Sequence, residues 1–200
     1  MRRSVDQRQA AIVDRLLEFG KSIGANELVF ANDPLVGDIL KNDPFAFLLA
    51  ASVDRGMTAE TAWRLPAKIR AKLGHLDPSR MAQMTAEEML AVLNAIDGRP
   101  RYLTAAARTL VEVAKHVTEF CDGDTRNLWR GQRAETIKRR VKAIYGVGPG
   151  IASMVVILLA TLGEISLLPE DYATMDPKPD VHVCRVFGRL GLCERDPTGR

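Results

Sequence analysis

Apolar residues recur at helical spacing along most of this chain, and nowhere do they alternate with period two for the length of a strand. Helices are therefore the only regular structure the sequence predicts. Residues 8 to 23 place Ile12, Val13, Leu16, Leu17 and Phe19 among charges, and Gly24 ends the pattern. Asn42-Asp43-Pro44 supplies a cap and a first-turn proline for a buried helix from Phe45 to Ser52. Thr58 opens a further helix that ends near Lys72-Leu73-Gly74, and Thr85-Ala-Glu-Glu opens another that closes at Asp97-Gly98. Leu103 to Phe120 reads as one long amphipathic helix stopped at Asp122-Gly123-Asp124. Arg133 to Ile144, Ile151 to Leu162 and Val181 to Leu190 complete an all-α protein of roughly nine helices with short links.

One link departs from this economy. Gly163 to Pro179 holds Pro169, Pro177 and Pro179 together with Glu164, Glu170, Asp171 and Asp176, and a connection of that length marks a functional loop or a boundary. It is read as a crossing between two lobes. Residues 44–162 form the first lobe, and residues 1–43 with 163–200 form the second, where the first helix lies beside Val181 to Leu190. With 46% of its 200 residues hydrophobic, the chain can bury one sizeable core or two small ones. Three cysteines, Cys121, Cys184 and Cys193, make no disulfide framework, and Cys184 is expected in the core. The amino terminus carries no secretory pattern, and the apolar run from Ile151 to Leu162 is too short to span a bilayer. A cytoplasmic protein without a membrane segment is expected.

The most distinctive local feature is Gly146-Val147-Gly148-Pro149-Gly150 between the basic segment Arg133 to Ile144 and the apolar segment Ile151 to Leu162. Glycines permit a sharp reversal and leave no side chain between the backbone amides and a ligand. The start of the following helix adds unpaired N–H groups and the positive end of the helix dipole, which together favour an anion such as a phosphate. Net charge is only +3, so nucleic-acid affinity must come from local clustering rather than from the sum. Arg130, Arg133, Lys138, Arg139, Arg140 and Lys142 provide that cluster immediately before the turn. The competing reading is a tight helix-to-helix turn in which the glycines serve packing alone, beside a solvated basic face.

The run Val141-Lys-Ala-Ile-Tyr-Gly-Val-Gly-Pro-Gly-Ile-Ala-Ser-Met-Val, followed by Pro179-Asp-Val-His-Val-Cys-Arg-Val, resembles the helix-hairpin-helix and Gly/Pro-Asp signature of the endonuclease III-like DNA glycosylase superfamily. Asp43-Pro-Phe-Ala-Phe-Leu-Leu-Ala-Ala-Ser and Arg101-Tyr-Leu-Thr-Ala-Ala-Ala extend the likeness upstream, so it spans roughly residues 40 to 190. It implies a two-lobed helical fold with a hairpin unit at about residues 133–162, and against the family's usual length a shortened carboxyl-terminal lobe is expected of this chain. It further implies a base-excision repair glycosylase that flips a damaged or mismatched base out of double-stranded DNA and hydrolyses its glycosidic bond. Asp180 matches the family's catalytic aspartate, which stabilises the oxocarbenium-like charge and orients water. It is also a natural N-cap for the helix that follows. Gly146, Val147, Gly148 and Gly150 match the phosphate-gripping hairpin, with Lys138, Arg139 and Lys142 as phosphate contacts.

Departures from the pattern sharpen the expectation. Members that also cut the strand place a nucleophilic lysine two residues after the hairpin's second glycine, and here that position is Gly150. The chain therefore reads as monofunctional, acting as a monomer on DNA. No complete iron–sulfur motif is present, so no cofactor and no protein-bound metal are expected, although a monovalent cation at the hairpin is compatible with the resemblance. Arg55 falls where the family inserts a wedge into the gap left by the flipped base, and His182 is a candidate support for the aspartate. Trp63 and Trp129 are stacking candidates whose alternative is the core. A helix-hairpin-helix DNA-binding protein without catalysis, or a lyase using a lysine elsewhere, stands as the alternative.

Overall fold

The computed structural model describes residues 7–22, 37, 41–172 and 181–193, without the side chains at 181 and 182. Among these residues there are ten α-helices and one 3-10 turn, and no strand. The chain divides into two compact units, Met1–Leu28 with Pro177–Arg200, and Val29–Asp176.

The larger unit is built around one helix. Asp43 caps α2 (Pro44–Val53) by accepting from the Phe45 and Ala46 amides, each at 3.0 Å, and Pro44 occupies the first turn where its missing N–H costs nothing. Every residue of α2 from Phe45 to Val53 is buried, so it needs apolar neighbours on all sides. They come from α3 (Ala59–Leu73), α6 (Leu103–Phe120), α8 (Pro149–Thr161) and the 3-10 turn Thr125–Leu128. Phe47 organises the centre, stacking on Trp63 at 5.9 Å between centroids and meeting the edge of Trp129 at 6.4 Å. Both tryptophans are thus core residues, buried to 5% and 2% exposure, and neither is available to stack on a base.

The cap signals in the sequence are met in detail. Thr58 accepts from the Thr61 amide ahead of α3, whose end is closed by Gly74 in the left-handed conformation. Thr85 and Glu88 form a reciprocal capping box on α5 (Ala86–Asn94). Two short helices were not expected, α4 (Pro78–Ala82) and α9 (Pro169–Tyr172), because four or five residues carry no readable period. α6 lies against α4 and α5 as well as α2, and α7 (Ala134–Lys142) packs against α8. Among the described residues no helix is long and apolar enough to cross a membrane.

The acidic link begins within this unit. Glu164 accepts from the Trp129 indole at 3.1 Å and pairs with Arg126 at 3.5 Å. Asp171, buried, accepts from the Leu168 amide at 2.8 Å and from Arg133 at 3.1 Å. The Leu168 hydrogen bond, aided by Arg133, holds the Asp171 carboxyl below its ordinary range. A depressed pKa adds stability above the unfolded value, which is lost as pH falls through the folded one. Unfolding of the full chain by urea should therefore become easier below about pH 4, the ordinary aspartate value. Asp171→Asn should flatten that acid limb, and an unchanged pH profile would dismiss the clasp.

The smaller unit contributes α1 (Gln7–Ser22) and α10 (Val181–Leu190), joined by a hydrogen bond from the Gln9 amide group to the Gly191 carbonyl at 2.7 Å. Cys184 is exposed, contrary to its expected burial. The less exposed stripe of α10 runs through Val183, Phe187 and Leu190 at helical spacing, and Cys184 lies about 100° round the helix from its start.

Candidate nucleic-acid interface

The sequence around residue 146 does form a hairpin between two helices. α7 ends at Lys142, the backbone reverses at Gly146 with φ of +82°, and Gly148 precedes α8 with ordinary extended angles of −87° and 171°. Only the first of these glycines is required by the fold. A Cβ on Gly146 would collide with the Thr109 hydroxyl and stand 3.4 Å from an Arg55 nitrogen, whereas a Cβ on Gly148 would meet nothing within 4 Å.

The helix start beyond the turn is unfinished electrically. Gly148 has no side chain to cap α8, and Pro149 at the first position has no N–H. The Ala152 amide returns to the Gly148 carbonyl at 3.0 Å and the Val147 amide to Ile144 at 3.1 Å. The amides of Gly148, Gly150 and Ile151 have no acceptor among the described residues. Val147 itself is buried and anchors the loop, so its part is structural. Three N–H groups without an acceptor at the positive end of a 13-residue helix are the kind of donors an anion needs.

The hairpin is braced from behind by residues distant in sequence. Arg55 donates from Nη1 to the Gly146 carbonyl at 3.0 Å. Arg108, on α6, lies over the Tyr145 ring with its guanidinium carbon 3.9 Å from the centroid, a cation–π contact. Thr109 is fully buried with its hydroxyl unpaired against the inner side of the turn. Arg55 was expected as a wedge into the DNA; here its guanidinium holds the hairpin carbonyl. Arg108 and Thr109 went unnoticed in the sequence, because nothing local in α6 announces that one of its turns faces the hairpin.

The basic run before the turn separates into two groups. Arg130 binds Asp124 at 3.2 Å, Arg133 binds Asp171, and Arg140 donates to the Asn127 and Leu128 carbonyls at 3.2 and 3.4 Å. These three hold the chain together. Of the expected phosphate contacts, Lys142 is exposed beside the turn, Lys138 is half-buried, and Arg139 is exposed on the side of α7 that faces the end of α6. Arg55 at the Gly146 carbonyl and Arg108 over Tyr145 add their positive charge at the turn.

Asp180 lies outside the described residues, as does the side chain of His182. Among the described residues no cluster of three or more histidine, cysteine or acidic side chains stands ready for a metal. Comparison of the chain with protein-family models, with curated proteins and with solved structures finds no match.

Proposed function

We propose that this chain is a DNA-binding protein of the helix-hairpin-helix type and a monofunctional DNA glycosylase. The observation that carries the first half is the contrast between two glycines. Gly146 is demanded by backbone angle and by the Thr109 hydroxyl, but Gly148 has ordinary angles and open space in front of it. A residue without a side chain at Gly148 serves something that approaches from outside. The unpaired amides of Gly148, Gly150 and Ile151, flanked by Lys142, Arg55 and Arg108, suit a phosphate of the DNA backbone.

The catalytic half rests on Asp180 and on what is missing at the hairpin. In this reading the target nucleotide is extruded from the duplex, since its glycosidic bond is out of reach inside the stack. Asp180 then stabilises positive charge on the sugar as the base departs and orients the water that replaces it. His182 supports the carboxylate. Gly150 occupies the place of a Schiff-base lysine, so the product is an abasic site in an intact strand. No cofactor takes part.

The phosphate grip is tested by Gly148→Ala. The added methyl meets no protein atom, and a weaker cap is offset by reduced freedom of the unfolded chain, so stability should change by less than about 1 kcal/mol. Affinity for a fluorescently labelled duplex, read by anisotropy, should fall about tenfold, because the methyl stands between phosphate and amides. The slope of log affinity against log salt should also become shallower. Equal affinity for the wild type and Gly148→Ala would refute the grip.

A further inference from the structure

A second recess lies along α6 from the hairpin. Arg108 and Thr109 reach Tyr145 and Gly146 from one turn of α6, while His116 and Phe120 near its end face Leu128, Arg139 and Arg140 across a cavity of about 500 Å3. At about 1.5 Å per residue, His116 sits roughly 10 Å along α6 from Thr109. The two features are separate places on the surface. Cavities of about 300–1,000 Å3 accommodate small organic molecules.

The wall has a definite chemistry. Leu128 is buried and makes it apolar, and Cys121 contributes a buried sulfur whose thiol burial keeps protonated. Phe120 is 71% exposed, and its ring leans on His116 at 4.9 Å, leaving an aromatic face uncovered. Burial lowers the His116 pKa, against the pull of nearby Glu119, so the imidazole is neutral near pH 7. Arg139 and Arg140 place two guanidiniums on the wall. Arg140 is fixed by its two carbonyl acceptors, and Arg139 is exposed.

We propose that this cavity binds a small planar aromatic acid, its ring covering Phe120 and its carboxylate or phosphate meeting Arg139, with Arg140 behind. An aromatic face wants a flat apolar partner, and a guanidinium matches the two oxygens of such an acid. The site stands apart from the hairpin and does not rest on the DNA reading.

Calorimetric titration of the full chain tests it, using naphthoate, naphthyl phosphate and the neutral naphthamide as probes. One site is expected for an anionic probe, and naphthamide should bind at least about tenfold more weakly, the worth of a charge-assisted contact. The stronger of the two anions identifies the acid group. Arg139→Gln and Phe120→Ala, both at exposed positions, should each weaken the preferred anion about tenfold with circular dichroism unchanged, while Lys72→Gln on α3 should leave it as in the wild type. Absence of saturable binding by either anion overturns the proposal. So does equal binding of naphthamide, or wild-type affinity in either cavity variant.

Discussion

Gly146→Ala is expected to destabilise the chain by about 2–4 kcal/mol, the largest effect of any single methyl at the hairpin. Two costs combine. Alanine at a φ of +82° pays about 1–2 kcal/mol for the left-handed conformation, and its Cβ is driven into the buried Thr109 hydroxyl. Relief by moving the hairpin would break the Arg55 hydrogen bond to the Gly146 carbonyl and shift Tyr145 from beneath Arg108. Thermal unfolding should show the loss as several degrees in Tm. The double variant Gly146→Ala with Thr109→Ala should recover the steric part and leave the backbone part, so the two changes will not add. Full additivity would mean that Thr109 does not touch the turn. DNA affinity should fall as well, whereas at Gly148 affinity falls and stability holds.

Asp180→Asn carries the other large effect. Removing the carboxylate leaves an amide that cannot stabilise a developing cation on the sugar, and the loss of one such electrostatic contribution costs about 10²–10³ in rate. Duplex affinity should hold or rise, because the substitution removes a negative charge from a protein that is to bind phosphates. The pairing of lost base release with retained binding separates a catalytic aspartate from one that only caps α10. A cap lost to asparagine costs almost nothing, since asparagine caps as well as aspartate does. Single-turnover base release, measured alongside anisotropy, distinguishes the two roles.

Local physics made much of the fold legible. Asp43, Thr58 and Thr85 announce their helices because a cap is a contact within three residues, and the sequence contains both partners side by side. The total burial of α2 was visible as an apolar run with no polar face. What could not be read was whatever depends on two distant segments meeting. Arg133 and Arg140 looked like members of one basic face, yet one binds the acidic link and the other binds carbonyls of the 3-10 turn. Arg55 looked like a wedge for DNA, and its partner is 91 positions away. Arg108 and Thr109 gave no local sign of their place behind the hairpin. Of the two glycine positions that the motif makes equivalent, only geometry tells the one required by the chain from the one left open to a ligand.

The central claim is that the open amides of the hairpin and Asp180 together remove a base and leave the strand whole. It is tested by incubating the full chain with duplexes carrying uracil, an alkylated purine, an oxidised pyrimidine or a mismatch, with Asp180→Asn in parallel. At least one duplex should yield abasic sites revealed only by alkali, no adduct should be trapped by borohydride, and the variant should release base about 10²–10³ more slowly. Duplex binding without base release from any of these substrates, or release undiminished in Asp180→Asn, would contradict it.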